Sequence, residues 1–146
     1  MNALADTSRW LALSARVEPA QLAAGQRGRL VVEVEIPEGC HIEAHAPAEP
    51  FLVPTELGFE PADGLVIGPV EYPPAEARQF DWSAMVLRVY RGTLRLEAPL
   101  ALAAGAAPGS RRIRGRLRYQ GCTPTACLMP STQPVEAVLE VAPPRP

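Results

Sequence analysis

The amino-acid sequence predicts an all-β protein, an immunoglobulin-like antiparallel β-sandwich. Short segments of alternating apolar and polar residues recur along the chain, and Gly, Pro or Asp residues bound them. The 17 prolines are spread through the 146 residues instead of forming one tract, which suits many short strands joined by turns. No window of about twelve residues or more carries a helical stripe. Eight or nine strands with turns at this spacing are typical of such a sandwich.

Nine segments are predicted to be strands. In the clearest one, Arg29–Ile36, charged and apolar residues alternate, so that one face is buried and the other is solvated. Arg91 and Gly92, between two of the other segments, are expected to form a hairpin turn. The remaining eight strands are predicted at Leu11–Val17, Cys40–Ala44, Thr55–Phe59, Leu65–Val70, Met85–Tyr90, Thr93–Leu102, Arg111–Gln120 and Val135–Val141.

One domain is expected at residues 10–141, between a flexible N-terminal tail at 1–9 and a C-terminal tail at 142–146. The first residues lack the basic and apolar regions of a secretory signal. The longest apolar run, Pro99–Ala107, is far shorter than the roughly 20 residues that span a bilayer. We therefore expect no direct membrane insertion, with any signal peptide or membrane part absent from this chain.

The charged residues do not indicate a nucleic-acid partner. The formal net charge is −2, and all 14 cationic residues are arginines. Five of these arginines lie between Arg111 and Arg118, where apolar or small residues interrupt them with a period of two. That pattern is typical of the solvated face of a strand.

Two of the three cysteines, Cys122 and Cys127, lie in a loop rich in Gly, Pro and Thr. A disulfide between them requires the loop to turn back on itself, and Gly121 and Pro124 are expected to provide the bend. Closing a ring of about six residues stabilises a fold by roughly 2 kcal/mol, against about 4.7 for a bridge that closes about 100 residues. The spacing leaves three uses open: a redox-exchanging pair, a structural clip or a pair of metal ligands.

Several motifs together resemble the family of N-terminal periplasmic domains of the thiol:disulfide interchange protein DsbD. They occur in the family's order over about residues 10–141. The motifs are Gly39-Cys40-His41-Ile42 with His45, PFLVPTEL at Pro50–Leu57, VEYPP at Val70–Pro74, VYRG at Val89–Gly92, and LRYQGC at Leu117–Cys122 with Cys127.

The resemblance implies a sandwich with one redox-active disulfide, formed by Cys122 and Cys127, and no cofactor. It implies protein thiol-disulfide exchange of the reductase type, with a thioredoxin-like protein or domain as the electron donor. Periplasmic thiol-disulfide proteins would accept the electrons, so a periplasmic location is implied as well. By analogy with the family, Cys127 is expected to attack the partner disulfide and Cys122 to resolve the mixed disulfide.

The family also has a cap in which an aromatic residue shields the sulfurs. The matching segment here makes Phe80 or Trp82 the expected shield, although both rings could instead be ordinary core residues. Asp81 lies between them, and a carboxylate beside a thiol would raise the pKa of that thiol.

The chain departs from the family just after Gly39, where the best-known members have aromatic residues and this sequence has Cys40, His41, Ile42 and Glu43. We therefore expect His41 or Glu43 near the disulfide, where a charged imidazole would stabilise a thiolate. Tyr119 is a further candidate neighbour. Cys40 is expected to be a buried, unpaired thiol.

Two other functions stay open. In a non-catalytic interaction domain the bond between Cys122 and Cys127 would only be structural. A module that binds Cu(I) or zinc would use soft ligands, although no pair has a recognised metal spacing and we predict no metal site. The candidate ligands are Cys40, His41, His45, Cys122, Cys127 and Met129. An ordinary hydrolase is not expected, because the sequence contains neither G-x-S-x-G nor H-E-x-x-H.

Overall fold

A computed structural model describes residues 10–46, 51–80 and 84–144 of the chain. These residues form twelve β-strands and no helix. In chain order the strands are β1 Ala12–Glu18, β2 Gln21–Leu22, β3 Arg27–Glu35, β4 His41–Glu43, β5 Glu56–Phe59, β6 Leu65–Ile67, β7 Glu76–Gln79, β8 Val86–Tyr90, β9 Thr93–Leu102, β10 Gly109–Tyr119, β11 Gly121–Cys122 and β12 Ser131–Val141.

The strands form three four-stranded sheets. Sheet A has the order β1-β3-β9-β6, sheet B the order β2-β12-β10-β5, and sheet C the order β11-β4-β8-β7. The paired strands are antiparallel, except for the short parallel pair of β2 and β12. The all-β class and the antiparallel sandwich are confirmed.

Sheets A and B pack face to face because their strands alternate as the sequence predicts. Leu30 and Leu100 from sheet A meet Ile113 and Leu139 from sheet B in one buried cluster. Burying a side chain of this size contributes about 1.5–3 kcal/mol. The opposite face of β10 carries Arg112, Arg114, Arg116 and Arg118, all of them exposed, so the solvated arginine face is also confirmed.

Sheet C packs against the sandwich through one face of its two central strands. Ile42 of β4 and Tyr90 of β8 are direct partners and belong to the same buried cluster as Val34 and Leu117 of sheets A and B. Side chains alternate between the faces of a strand, so the neighbours of Ile42 on β4 point to the other face. That second face of sheet C carries the candidate site.

The chain crosses between sheets where the sequence predicts a hairpin. Strand β8 pairs with β4 and β7, and β9 pairs with β3 and β6, so Arg91 and Gly92 do not join neighbouring strands. Gly92 instead adopts a φ of +75° as the chain passes from sheet C to sheet A. Its carbonyl accepts a hydrogen bond of 3.0 Å from the Ile36 N–H, which fixes this crossover.

The chain ends and part of the predicted cap lie outside the described residues. This applies to the predicted tail at 1–9, to the last two residues, and to Asp81 and Trp82. Among the C-terminal residues that are described, the Ala142 N–H donates to the Leu22 carbonyl at 2.8 Å. The described segments contain no helix with the length and apolar character needed to cross a bilayer.

Candidate functional site

The site is built on β4, which lies between β11 and β8 in sheet C. His41, Ile42 and Glu43 are all buried, because Ile42 faces the sandwich while His41 and Glu43 face the other way. Cys122 of β11 is the direct cross-strand partner of His41. Side chains opposite each other in an antiparallel pair lie on the same face, with Cβ atoms about 4.5–5.5 Å apart. The pairing of β4 with β11 therefore brings the Cys122 sulfur to His41 and Glu43.

A sharp turn in the loop after β11 joins Cys122 to Cys127 in a disulfide. The Cα atoms of the two cysteines are 3.9 Å apart, and the residues pair as an isolated antiparallel bridge. The Thr123 N–H donates to the Ala126 carbonyl at 2.8 Å. The Ala126 N–H in turn donates to the Thr123 hydroxyl at 3.3 Å. The turn leaves Cys122 fully buried and Cys127 half-buried.

Gly121 does not provide the predicted bend in the loop between Cys122 and Cys127. It is part of β11, and a Cβ atom at this position would lie 2.4 Å from the Trp10 ring. Glycine is therefore required so that Trp10 can pack against the strand that carries Cys122. A second glycine, Gly39, has a φ of +79°. It occupies the third position of the turn closed by the Cys40 N–H and the Pro37 carbonyl at 3.0 Å, where a type II turn requires glycine.

The His41 ring lies between the cysteine strand and an aromatic side chain. Phe80 stacks on it with ring centroids 4.3 Å apart and an interplanar angle of 11°. Burial and, to a smaller extent, the nearby Arg78 guanidinium together lower the pKa of His41 to about 4. The imidazole is therefore neutral near pH 7. It does not supply the positive charge that was predicted to stabilise a thiolate.

Glu43 places a carboxyl group directly beside the disulfide. Its Oε1 atom lies 3.6 Å from the Cys122 sulfur, and its side chain is completely buried. Burial raises the pKa of Glu43 to about 7, because the charged carboxylate loses its hydration. A disulfide sulfur has no proton to donate, so a hydrogen bond across this contact requires the protonated carboxyl.

Two buried polar atoms on this face have no hydrogen-bond partner among the described residues: Nε2 of His41 and Oε2 of Glu43. Such atoms are rare, since an unpaired buried polar atom costs about 1–3 kcal/mol. His41, Glu43 and Cys122 each offer a potential ligand atom, and these three atoms lie within 4.8 Å of one another.

An open cleft of about 440 Å³ borders the site on the His41 side. Its lining includes His41, Phe80 and Cys40, together with the guanidinium groups of Arg78 and Arg91. Both arginines pair with one carboxylate, that of Glu76, at 3.1 and 2.7 Å. The cleft gives access to the rings that cover the site and places two guanidinium groups beside them, together with the carboxylates of Glu38 and Glu76.

The structure places the other sequence candidates away from this cluster or leaves them outside the described residues. Tyr119 is in the core, where its ring stacks on Trp10 and its hydroxyl donates to Gln133 at 2.7 Å. Cys40 is unpaired and half-buried, and burial raises the pKa of its thiol. Asp81 and Trp82 are among the residues that the structure does not describe.

The other two soft ligands considered for a metal module, His45 and Met129, are not part of the cluster. His45 stacks on Tyr72 with centroids 3.7 Å apart. Its Nδ1 donates to the Thr55 carbonyl at 2.9 Å, since a carbonyl oxygen only accepts. The Met129 side chain is 70% exposed.

A family model and a solved structure each match most of this chain. Residues 8–139 match the family model for the N-terminal domain of the thiol:disulfide interchange protein DsbD. The N-terminal periplasmic domain of ScsB from Proteus mirabilis superposes with a TM-score of 0.57 and 15% identity, over 92% of this chain and 49% of that one. The chain thus spans about half the length of the ScsB structure, and the superposition supports the fold.

Two further solved structures show weaker similarity. The reduced DsbD N-terminal domain of Neisseria meningitidis has a TM-score of 0.45 and 20% identity, over 99% of this chain and 96% of that one. The seventh ScaB type I cohesin of Pseudobacteroides cellulosolvens has a TM-score of 0.49 and 10% identity, over 92% and 94% of the two chains. A comparison with curated proteins gives no match.

Proposed function

Because the chain belongs to the family of DsbD N-terminal domains, we propose that it passes electrons to partner proteins through Cys122 and Cys127. Membership in this family implies a thiol-disulfide exchange role. The observation that carries the proposal is the position of the disulfide, in a six-residue turn with one half-buried and one buried cysteine. Exchange requires access to the sulfur that reacts, and this arrangement leaves one of the two sulfurs within reach.

The difference in burial supports an assignment of the two roles. In the reduced domain the Cys127 thiolate attacks a sulfur of the partner disulfide, forming a mixed disulfide and releasing one partner thiolate. Cys122 then attacks the Cys127 sulfur, which re-forms the domain's own disulfide and releases the second partner thiolate. Two electrons move to the partner, and the two protons lost by the domain's thiols balance the two that the partner thiolates take up. Cys122 is buried against Glu43 and is suited only to the second, internal step.

We assign electron delivery to a thioredoxin-like protein or domain and electron acceptance to periplasmic proteins that contain disulfides. One similar solved structure supports this location, since the ScsB domain from Proteus mirabilis is a periplasmic domain. The cleft beside His41 is the expected docking surface, because His41 is the cross-strand partner of Cys122 and because Arg78 and Arg91 line the cleft.

Phe80 is proposed to shield the disulfide by covering His41. Its ring stacks on His41, which is the cross-strand partner of Cys122, and it packs against the cluster formed by Leu52, Leu87 and Val89. Phe80 leaves the half-buried Cys127 sulfur within reach, and a partner that displaces Phe80 would also open a path from the cleft to the buried Cys122 sulfur. Small thiols would meet the same partial barrier.

Single-cysteine variants test the proposed roles. The reduced Cys122→Ser variant keeps the accessible thiol and loses the resolving one. With oxidised glutathione it should therefore accumulate a glutathione mixed disulfide and release reduced glutathione, and the adduct is detected by intact mass and located at Cys127. The Cys127→Ser variant should form far less adduct at Cys122. A Cys40→Ser background removes the third thiol from both measurements. Equal adduct formation at Cys122 and Cys127 would contradict the assignment.

A further inference from the structure

We propose that the reduced domain holds a site for one Zn²⁺ ion and that forming the disulfide removes this site. The ligands are His41, Glu43, Cys122 and Cys127. The inference rests on the proposed function in one respect: in the cell, thiol-disulfide exchange would supply the electrons that reduce the disulfide. The site itself follows from the side chains on the second face of sheet C, opposite the face that packs against the sandwich.

Strand pairing has already gathered three of the four ligands. The potential ligand atoms of His41, Glu43 and Cys122 lie within 4.8 Å of one another. Zinc bonds to nitrogen, oxygen and sulfur are about 2.0–2.3 Å long, so ligand atoms around one ion are about 3.3–3.8 Å apart. Movements of about 1 Å or slightly more are enough to close the cluster around an ion. Cys127 is bonded to Cys122, so its sulfur lies directly beside this cluster, and reduction frees the two sulfurs to separate to the ligand spacing.

The unpartnered atoms distinguish this cluster from an ordinary buried polar group. Nε2 of His41 and Oε2 of Glu43 are buried and have no hydrogen-bond partner among the described residues. Both residues are more than nine-tenths buried, at 2% and 0% exposure. A metal ion bound to these two atoms would satisfy both of them at once, in place of the hydrogen bonds that the described residues do not supply.

The donor set favours zinc over other ions. Two thiolates, one imidazole and one carboxylate provide the sulfur, nitrogen and oxygen donors found in tetrahedral zinc sites. Calcium and magnesium prefer oxygen ligands, and Cu(I) prefers soft sulfur donors over a carboxylate. The cleft lined by His41 and Phe80 offers an entry path to the ion.

The redox state controls the site because a thiolate, and not a disulfide sulfur, is the metal ligand. Reduction by a dithiol breaks the bond between Cys122 and Cys127, adds two electrons and two protons to the pair, and oxidises the reductant to a disulfide. Zinc binding then releases both thiol protons and changes no oxidation state. Bound zinc occupies both exchange sulfurs, so the zinc form should be inactive in exchange until the ion leaves.

Zinc binding to chemically reduced protein tests the proposal. The protein is reduced with a phosphine, desalted without oxygen and titrated with Zn²⁺ against a chromophoric chelator. We expect one ion per chain in the reduced form and at least tenfold weaker binding in the disulfide form. His41→Phe, which keeps a ring against Phe80, and Glu43→Gln should each weaken binding at least tenfold. The other histidine and the other cysteine provide matched controls, His45→Gln and Cys40→Ser, which should bind zinc as the wild type does.

Linkage gives a second measurement that does not depend on exchange activity. Zinc at one hundred times its dissociation constant favours the dithiol by about a hundredfold, which raises the midpoint potential of the pair by about 59 mV. A folded, reduced wild type that binds zinc no more tightly than the disulfide form would overturn the proposal. So would loss of binding in His45→Gln or Cys40→Ser with binding retained in His41→Phe. A phosphine reduces the disulfide without thiol exchange, so the result of this test is independent of the exchange function. The proposed exchange function fails only if biological thiols cannot open the disulfide.

Discussion

His41 and Cys122 are direct cross-strand partners, although they are far apart in the sequence. This pairing places the disulfide against a buried imidazole and, one position further along the same face of β4, against the Glu43 carboxyl at 3.6 Å. The chemistry of the two sulfurs therefore depends on the side chains of the second face of sheet C as well as on the turn that joins the two cysteines.

The close packing of Trp10 on Gly121 should make Gly121→Ala destabilising. The added Cβ would lie 2.4 Å from the Trp10 ring, and overpacking of this kind costs about 1–3 kcal/mol. Gly58→Ala is the matched control, because nothing lies within 4 Å of a Cβ atom at that strand position. Urea unfolding of both variants, each with its disulfide intact, measures the difference in their free energies of unfolding. Equal free energies of unfolding for both variants would show that Trp10 does not pack on β11 as described.

Removing the Phe80 ring should speed the reduction of the disulfide by small thiols. Phe80→Ala takes away the ring stacked on His41 at 4.3 Å, which opens the path from the cleft, and exchange rates rise with access to the sulfur. We expect a several-fold increase in the rate of reduction by dithiothreitol. Phe51→Ala is the control, because the Phe51 side chain is already 71% exposed. An unchanged rate in a folded Phe80→Ala variant would argue against the shield.

Acid should lower the stability of the fold by protonating Glu97, which forms ion pairs on sheet A. The Glu97 carboxylate lies 2.9 Å from Arg29 and 3.0 Å from Arg95, and hydrogen bonds from Arg29 and then Arg95 lower its pKa. A carboxyl with a lowered pKa stabilises the fold above its unfolded pKa, and that contribution is lost as pH falls through the folded value. The urea midpoint should therefore drop on acidification, and by less in Glu97→Gln than in the wild type.

The effect at Glu97 should be modest, because salt screens exposed ion pairs. Glu35→Gln provides a control at the end of β3, since Glu35 has no ion pair with the described residues. An identical pH dependence in the wild type, Glu97→Gln and Glu35→Gln would show that the Glu97 pairs do not contribute to stability.

The long strands could be predicted because burial on one face imposes a period of two that is visible in the sequence. Thr93–Leu102 has the predicted limits, and β3 and β10 differ from the prediction by a few residues. Three short strands were missed, because a segment of two to four residues is too short to show a period. The hairpin at Arg91 was wrong because strand pairing, and not local turn chemistry, decides which sheet each strand joins.

The cysteine pair could be predicted because the two residues are close in sequence and share one turn. The contact of Cys122 with His41 and Glu43 depends on the pairing of β11 with β4, which neither segment specifies alone. The family resemblance directed attention to residues 40–43, but the burial of Glu43 and its unpartnered oxygen are properties of the folded sheet. The packing of Gly121 against Trp10 was missed for the same reason.

The most direct test of the exchange function is the redox equilibrium of the pair with glutathione. The purified protein is equilibrated at graded ratios of reduced and oxidised glutathione, free thiols are trapped by alkylation, and modified peptides are located by mass. We predict that Cys122 and Cys127 titrate together, with a midpoint well above the roughly −300 mV below which structural disulfides resist the glutathione pool. A pair that stays bridged at every ratio would contradict the account and leave the disulfide a structural clip.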